Sequence, residues 1–373
     1  MLKSYFQMLA INTTETVREG SIFGQITTMD HEQLVICHDE ATGLKALIGI
    51  HNTVLGPALG GTRMWPYATE EEAIRDVLRL SRGMTFKNSL AGLNLGGGKA
   101  VIIGDPKLKS EAFLRRFGRF VESLGGRYVT AEDVNMKTSD MEYMALETRH
   151  VTGLPKSKGG AGDPSPVTAF GVYMGMKAAA KKAFGSDSLQ GKRIGVQGVG
   201  QVGKYLINYL VKEGADILIT DIFEDKLQEV AKSTGATVVD SKVLYDIQMD
   251  IYAPCALGAT INDQTIDRLT CKVIAGGANN QLEDEAKHGK ILMEKGIVYA
   301  PDFLINAGGV INVGAEYYRE YQEEAVFAQT EKIYDTCLSI LNISEKQHIP
   351  AQQAAIEAAK ARIEAIGRIK LPF

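Results

Sequence analysis

The stretch from Arg193 to Gly203 limits the possible folds of this chain more than any other. It reads Arg-Ile-Gly-Val-Gln-Gly-Val-Gly-Gln-Val-Gly, a short apolar run followed by the spacing G-x-G-x-x-G. Apolar residues then recur at helical spacing, at Val202, Leu206, Tyr209 and Leu210. A strand, a glycine turn and a helix in this order form the corner that holds a pyrophosphate in doubly wound α/β folds. The segment therefore predicts a Rossmann-type parallel sheet that binds a dinucleotide.

Each glycine of this motif has a predicted role. Gly198 permits the tight turn, Gly200 lets the pyrophosphate approach the helix N-terminus, and Gly203 allows close helix packing. A second strand over 217–220 leads to Asp221, at about the distance of roughly 20 residues where the acid that binds the ribose is found. No arginine follows Asp221 closely enough to meet a 2′-phosphate, so the motif favours NAD over NADP.

Later apolar runs extend the same pattern. They lie at 250–253, 273–275 and 297–300 and alternate with helical segments, as a doubly wound sheet requires. Each run leads toward a loop that we expect to face the cleft: Cys255-Ala256-Leu257-Gly258, Gly276-Gly277-Ala278-Asn279-Asn280 and Asn306-Ala307-Gly308-Gly309-Val310-Ile311-Asn312-Val313. Alternatively, these glycines only form turns, and the two valines are a buried pair. From about Ala315 the chain is expected to be helical to its end, with a break at Pro350.

Two lysines flank a glycine-rich turn in the first half of the chain. Thr69 and Glu72 form a capping box that opens an apolar helical stripe leading to Lys87, while Lys99 follows Gly96-Gly97-Gly98 and opens a buried strand. Two ammonium groups held together in a partly desolvated cleft each disfavour the charge of the other, so at least one should have a lowered pKa. Such a lysine can act as a base near neutral pH. The alternative is two solvated lysines beside a flexible loop.

Two further segments belong with these lysines. The loop 56–63, Gly-Pro-Ala-Leu-Gly-Gly-Thr-Arg, would let its backbone approach a ligand closely. Glu132 and Asp133 stand at the carboxyl end of a strand over 128–131, where α/β sheets usually expose functional side chains. Either acid could instead cap the next segment.

The clearest shift in composition, between Gly153 and Pro166, marks the predicted domain boundary. With 373 residues the chain is long enough for two full cores. We predict a two-domain α/β protein. Residues 1–152 form an α/β domain for substrate binding and oligomerisation, and residues 153–344 form the Rossmann-type domain. Residues from about 345 to 373 are helices that pack back on the first domain and brace the two.

Charge and cysteine usage exclude several classes of protein. The net charge of −4 includes no basic stripe, which argues against nucleic acid or an anionic membrane as partner. The four cysteines show no C-x-x-C spacing and suit reduced thiols in the cytoplasm. No apolar run approaches the ~18 residues needed to span a bilayer, and the N-terminus shows no cleavage pattern for export. We expect a cytoplasmic protein that acts on small molecules.

Taken together, the motifs resemble the superfamily of glutamate, leucine, phenylalanine and valine dehydrogenases, most closely the leucine dehydrogenases. The resemblance runs from about Leu34 to Ile366. It is carried by Pro57 to Arg63, Met84 to Lys87, Gly96 to Lys99, Ala131 to Val134, Asp163 to Thr168, the Gly198 loop, Ala278 to Asn280 and Asn306 to Gly309. It implies reversible oxidative deamination of an L-amino acid to the 2-oxo acid and ammonia, with hydride passing to NAD in a cleft between the domains. It also implies a homo-oligomer.

The resemblance assigns roles to individual residues. Lys99 would be the group of low pKa that activates water and polarises the carbonyl. Asp133 would relay protons to and from the amine, and Lys87 would hold the substrate carboxylate. The other implied substrate contacts are Leu59, Gly60, Gly61, Met84, Ala131, Asn280, Val310 and Val313. The implied cofactor contacts are Gly198, Val199, Gly200, Gln201, Val202, Gly203, Asp221, Ile222, Thr168, Cys255, Ala256 and Asn279. No metal is expected.

Two positions bear on the substrate side chain. Glutamate dehydrogenases carry a lysine where this chain has Leu59, and a serine where it has Val313. Burying an unpaired γ-carboxylate between them would cost several kcal/mol, whereas burying a leucine side chain gains roughly 1.5–3 kcal/mol. The pattern therefore favours branched-chain substrates (leucine, and also valine and isoleucine) and rejects glutamate.

Other functions stay open at this point. A phenylalanine or valine dehydrogenase would share the motifs, since one methylene is worth only about 1–3 kcal/mol. A 2-hydroxy-acid dehydrogenase typically uses a histidine paired with a carboxylate, and His150 and His288 have no such context. A non-catalytic NAD sensor would keep Gly198 and Asp221 but would not need Lys99 and Asp133.

Overall fold

The computed structural model describes residues 21–256, 258–319 and 321–369. It contains two α/β units, each built on a six-stranded sheet. The predicted two-domain α/β architecture is therefore confirmed. The first 20 residues, on which part of the export argument was based, and Leu257 in the first predicted cleft loop lie outside the described residues.

The first sheet is mixed. Its strands are β1 (Gln33–Asp39), β2 (Leu44–Asn52), β3 (Ala58–Leu59), β4 (Thr62–Trp65), β5 (Gly96–Ile103) and β6 (Tyr128–Val129). The order is β1-β2-β5-β3-β6, and β4 also pairs with β5. Strands β1, β2 and β5 run antiparallel, whereas β3, β4 and β6 extend the sheet in parallel. Strand β5, which carries Lys99, is thus the centre of the sheet.

Helices cover both faces of this sheet. They are α1 (Ile22–Met29), α2 (Glu70–Leu90), α3 (Glu111–Glu122) and α4 (Thr138–Ala145). Ala73, Val77 and Leu78 of α2 pack on one face, and Phe113, Phe117 and Val121 of α3 belong to the core on the other. Burial on both faces explains why the sequence of β5 after Lys99 is continuously apolar.

The second sheet is fully parallel. Its strands are β7 (Arg193–Gln197), β8 (Asp216–Thr220), β9 (Thr237–Val238), β10 (Ile251–Pro254), β11 (Val273–Ile274) and β12 (Val298–Tyr299). The order is β12-β11-β10-β7-β8-β9, so the direction of winding reverses between β7 and β10. Ligands in doubly wound sheets bind at this switch point, outside the carboxyl ends of the strands.

The described residues contain nine further α-helices, besides three short 3₁₀ helices (Pro106–Leu108, Lys156–Lys158 and Leu244–Asp246). The α-helices are α5 (Ser165–Phe184), α6 (Gln201–Glu213), α7 (Glu224–Thr234), α8 (Glu285–Glu294), α9 (Asp302–Ile305), α10 (Gly308–Tyr317), α11 (Glu323–Glu331), α12 (Ile333–Gln347) and α13 (Ala351–Gly367). Helix α13 contacts α2: Ser89 Oγ donates to the carbonyl of Ala359, and Arg362 donates to the carbonyls of Ser89 and Leu93. Among all the helices of the described residues, none is both long and apolar enough to cross a membrane.

The sequence prediction was wrong about residues 306–313. We expected a loop there and helix only from about Ala315, but α10 begins at Gly308. A Cβ at Gly308 would lie 2.1 Å from the carbonyl oxygen of Val167, so this helix start is pressed against α5. Gly308 and Gly309 permit this close approach. Helix propensity disfavours glycine and gives no sign of such a contact.

The connection between the two units is held by one buried carboxylate. Glu316 on α10 accepts hydrogen bonds from the backbone N–H groups of Gly153, Leu154 and Ala161, at 2.9 to 3.1 Å. The preceding residue, Thr152, instead donates its N–H to the carbonyl of Thr130, beside the first sheet.

Candidate active site

A cleft with a cavity of about 400 Å³ lies between the two units. The first unit contributes residues from the ends of its central strands and from α2, and the second contributes loops and α10. The predicted substrate and catalytic residues that line it are Leu59, Gly61, Met84, Lys87, Lys99, Ala131, Asp133, Asn280, Val310 and Val313. Of the predicted cofactor contacts, Thr168, Val202 and Asn279 line it too. Gly60 is absent from the lining and lies against the backbone of Gly98.

Lys99 is fixed at the centre of the first sheet. Its side chain is 6% exposed, and its Nζ lies 2.8 Å from Asp133 Oδ1. A Cβ at Gly97 would lie 2.1 Å from the backbone nitrogen of Thr85, so helix α2 rests directly on β5. This close packing brings Lys87 of α2 into the same cleft as Lys99.

Asp133 is held between two cations. Its Oδ1 faces Lys99, and its Oδ2 accepts a hydrogen bond from Arg63 Nε at 2.9 Å. Burial alone would raise the pKa of Asp133, but the charges of Lys99 and Arg63 outweigh it and hold the pKa well below its usual range. Asp133 is therefore a carboxylate at neutral pH. Glu132 also lines the cleft, but its carboxylate accepts from the hydroxyl of Thr138.

Lys87 has the lowered pKa that the lysine pair predicted. Burial lowers the pKa of Lys87 to about 8, with a smaller contribution from repulsion by Lys99, while Asp302 and Asp133 raise it. One part of the prediction needs correction, because desolvation outweighs like-charge repulsion as the cause of the lowered pKa of Lys87. Lys99 forms the ion pair with Asp133.

Asn279 joins the two walls of the cleft. Its Oδ1 accepts a hydrogen bond from Lys87 Nζ at 3.2 Å and another from Asn306 Nδ2 at 2.8 Å. Asp302, which also lines the cleft, is buried and accepts from the backbone N–H of Gln281. Burial raises the pKa of Asp302. Lys87 thus meets both an amide oxygen and a nearby negative charge from the second unit.

Sequence reasoning gave no role to Arg63, Asp302 or Asn306, although each lies in the cleft. Arg63 and Asn306 belong to motifs that carried the resemblance, so their positions were visible. Nothing local, however, showed that Arg63 would reach Asp133, 70 residues away.

Apolar residues also line the cleft, among them Leu59, Met84, Ala131, Val310 and Val313. Leu59 is the last residue of β3, whereas Val310 and Val313 project from α10 rather than from a loop. Val313 is buried, at 8% exposed, and still borders the cavity. Val310 borders the cavity too but is only partly buried.

A second cluster forms the glycine-rich corner at the ends of β7, β8 and β10. It contains Gly198, Val199, Gly200, Gln201, Gly203, Asp221, Ile222, Cys255 and Ala256, none of which lines the cleft cavity. Gly198 has φ +107°, and a Cβ at Gly203 would lie 2.1 Å from the carbonyl oxygen of Gly198. Nothing in the described chain lies within 4 Å of a Cβ at Gly200, where α6 begins, so the helix N-terminus is open to a ligand.

Asp221 is anchored to this corner. Its Oδ2 accepts from the N–H of Val199 at 2.7 Å and its Oδ1 from the N–H of Phe223 at 3.0 Å. Each carboxylate oxygen keeps a further lone pair, so the group fits a ribose diol. The corner adjoins the cleft through Cys255, whose Sγ accepts from the N–H of Gly277 at 3.4 Å. One extended ligand can therefore reach from the corner into the cleft.

Both units match known protein families. Residues 31–150 match the model of the Glu/Leu/Phe/Val dehydrogenase dimerisation domain. Residues 159–221 and 218–368 match the model described as Glutamate/Leucine/Phenylalanine/Valine dehydrogenase.

Individual proteins are similar over nearly the whole chain. Leucine dehydrogenase from Thermoactinomyces intermedius is 56% identical over 94% of this chain and 96% of its own. Valine dehydrogenase from Streptomyces virginiae is 51% identical over 89% and 94%, respectively. The crystal structure of L-tryptophan dehydrogenase from Nostoc punctiforme has a TM-score of 0.83 and 44% identity, covering 93% of this chain and 100% of that one.

Proposed function

The chain belongs to the Glu/Leu/Phe/Val dehydrogenase family and is an amino-acid dehydrogenase that works with a nicotinamide cofactor, and we propose that it deaminates branched-chain L-amino acids reversibly with NAD. The observation that carries the proposal is the pairing of a hydrocarbon pocket with the Lys87, Lys99 and Asp133 cluster in one cleft. Similarity to the leucine dehydrogenase supports leucine as a substrate. Similarity to the valine dehydrogenase makes valine the second candidate.

The charged end of the cleft suits the α-carbon groups of an amino acid. Lys87 binds the substrate carboxylate, which replaces the amide oxygen of Asn279 as its partner. The carboxylate of Asp133 takes the proton that the substrate ammonium must lose before its C–H bond can be oxidised. NAD supplies the hydride acceptor. Asn280 adds a polar contact at the substrate, and Gly61 leaves room for it.

Lys99 acts on the iminium that oxidation leaves on the substrate. Its ammonium stabilises negative charge on the oxygen of the attacking water and of the product carbonyl. Protons pass between Lys99 and Asp133 across their 2.8 Å contact. The two residues thus serve both hydration of the iminium and release of ammonia.

The pocket favours an aliphatic side chain. At Leu59 and Val313, which border the cavity, there is no cation or hydroxyl to pair with a γ-carboxylate. The several kcal/mol cost of leaving such a carboxylate unpaired argues against glutamate. Met84 and Ala131 complete the apolar lining.

NAD would occupy the corner and extend into the cleft. Gly198 to Gly203 and the open helix start at Gly200 suit its pyrophosphate, and Asp221 suits the adenosine ribose. Cys255 and Ala256 flank the corner. Thr168, Val202 and Asn279 would meet the nicotinamide end.

We also propose the domain division at 152/153, with residues from about 345 onward returning to the first domain. Helix α13 supports this through its hydrogen bonds to α2. The match of residues 31–150 to a dimerisation domain supports a homo-oligomer. Light scattering of the purified protein tests assembly, and a monomer at micromolar concentration would refute it.

The experiment that tests the function follows NADH oxidation with ammonia and four 2-oxo acids: 4-methyl-2-oxopentanoate, 3-methyl-2-oxobutanoate, phenylpyruvate and 2-oxoglutarate. We expect the first two to be used best and 2-oxoglutarate to be rejected. Preference for phenylpyruvate would keep the chemistry but refute the branched-chain assignment. No turnover with any of them would refute the proposal, and repeating the assay with NADPH tests the choice of cofactor.

A further inference from the structure

A chain of charged contacts runs behind the proposed proton carrier. Asp133 Oδ2 accepts from Arg63 Nε at 2.9 Å, and Arg63 Nη1 donates to Asp76 Oδ2 at 3.1 Å. The hydroxyl of Tyr67 donates to the same oxygen of Asp76 at 2.7 Å. The side chains of Arg63, Asp76 and Asp133 are only 16 to 23% exposed.

We propose that Arg63 is a positioning residue of the deamination reaction: it holds the carboxylate of Asp133 in the orientation that faces Lys99 and the reacting amine. The inference rests on the proposed role of Asp133 as proton carrier. Arg63 acts through Asp133 and is not itself a catalytic residue.

Asp133 needs this support because of where it lies. It follows β6 in the irregular segment that leads to α4, with no regular element of its own. A carboxylate held at one oxygen can rotate about its side-chain bonds. Here each oxygen has a different cation, Lys99 at Oδ1 and Arg63 at Oδ2, so both orientation and position are fixed.

Arg63 is itself held from two elements. It lies on β4, where it is opposite Val101 of β5, and its partner Asp76 lies on α2. The two nitrogens that donate to Asp133 and Asp76 belong to one planar guanidinium. A lysine at this position has a single nitrogen and cannot reproduce both contacts in this geometry.

The charges around Asp133 keep it in the carboxylate form, the form that has a site for a proton. Lys99 faces it from β5 and Arg63 from β4, while α2 brings Lys87 and the acid Asp76 nearby. Burial favours the protonated acid, and the cations favour the carboxylate. Removing Arg63 would weaken the second influence and release Oδ2 at the same time.

The test compares Arg63→Gln and Arg63→Lys with a matched control, Arg115→Gln. Arg115 also bridges two carboxylates, those of Glu111 and Glu147, but on α3 away from the cleft. We expect Arg63→Gln to lower kcat by about 10- to 100-fold, the scale of a small misplacement of a reacting group. KM for the amino acid and the affinity for NADH should stay near the wild-type values. Arg63→Lys should restore part of kcat, and Arg115→Gln should leave kcat unchanged.

A double-mutant cycle with Asp133→Asn separates positioning from a general structural effect. If Arg63 acts through Asp133, Arg63→Gln will cause no further loss of kcat in the Asp133→Asn background. An equal loss of kcat in both backgrounds would overturn the inference about Arg63 but not the proposed function. A kcat for Arg63→Gln equal to that of Arg115→Gln would do the same. Wild-type turnover by Asp133→Asn would instead refute the proposed role of Asp133. Thermal melting of each variant confirms that it is folded.

Discussion

Lys87 Nζ and Asn279 Oδ1 form a hydrogen bond of 3.2 Å that crosses the cleft between the two units. The amide oxygen of Asn279 therefore lies where an oxygen of a bound carboxylate would be paired with Lys87. A substrate has to replace this contact, and the charge state of Lys87 decides how well it can do so.

Carboxylate binding should weaken as the pH rises through about 8. Burial lowers the pKa of Lys87 to about 8, so its ammonium is present below that pH and is lost above it. The inhibition constant of 4-methylpentanoate, which keeps its charge throughout, should be constant from about pH 6 to 7 and then rise by about tenfold per unit above 8. An arginine in place of this lysine would stay protonated, so Lys87→Arg should abolish the dependence. An inhibition constant that is flat to about pH 10 in the wild type would contradict the prediction.

Lys99→Ala should nearly abolish turnover and leave NADH binding intact. The substitution removes the ammonium that faces Asp133 at 2.8 Å, while the glycine-rich corner lies outside the cleft cavity. We expect kcat to fall by about 100- to 1000-fold, the order lost when a charge-stabilising group is removed. Fluorescence titration with NADH provides the control. An unchanged kcat would remove Lys99 from the mechanism.

Asp221→Ala should weaken NAD binding by at least about tenfold. It removes a charged acceptor from the proposed ribose site and leaves the N–H of Val199 without its partner, and a hydrogen bond to a charged group is worth about 1.5–3 kcal/mol. Asp225→Asn is the matched control because it removes a nearby negative charge from an exposed position in the first turn of α7. Equal NAD affinity in the Asp221 variant, measured by titration, would refute the ribose role.

Val313→Ala should shift preference toward larger substrates. The change removes two methyl groups from the wall of the pocket, and differences of this size are worth about 1–3 kcal/mol in discrimination. The ratio of kcat/KM for phenylpyruvate to that for 4-methyl-2-oxopentanoate should rise by about tenfold. Val326→Ala, at a buried position of α11, shows what a loss of packing alone does. If both variants change the ratio alike, Val313 does not set the pocket.

The parts of the fold that depend on neighbours in sequence were predictable. The glycine-rich corner followed from its spacing, and the start of α2 followed from Thr69, whose Oγ1 accepts from the N–H of Glu72. Even there the capping box closes differently, since Glu72 accepts from the N–H of Ala68 rather than from that of Thr69. The start of helix α10 was missed because Gly308 is required by the close approach of the Val167 backbone in another helix, which the local sequence does not show.

The same distinction between local sequence and distant contacts applies to the candidate site. The identity of Lys87, Lys99 and Asp133 as a cluster could be anticipated from motifs and resemblance. That Lys99 is ion-paired and that burial lowers the pKa of Lys87 could not be anticipated, because both depend on which groups surround the lysines in the folded protein. The Arg63 contact was equally inaccessible, since a single sequence does not indicate which side chains 70 residues apart will meet.

The hydrogen bonds of Glu316 and Thr152 fix where the connection at residues 152 and 153 passes from one unit to the other. Thr152 is tied to the first sheet through Thr130, and Gly153, the next residue, is tied to α10 through Glu316. The pivot of this connection is therefore one peptide link long, and Gly153 there has φ +84°, a torsion that costs glycine little. Because α10 also carries Val313, which borders the cavity, a rotation at this link would move that wall of the cleft. Opening of the cleft and the width of its apolar pocket would then change together.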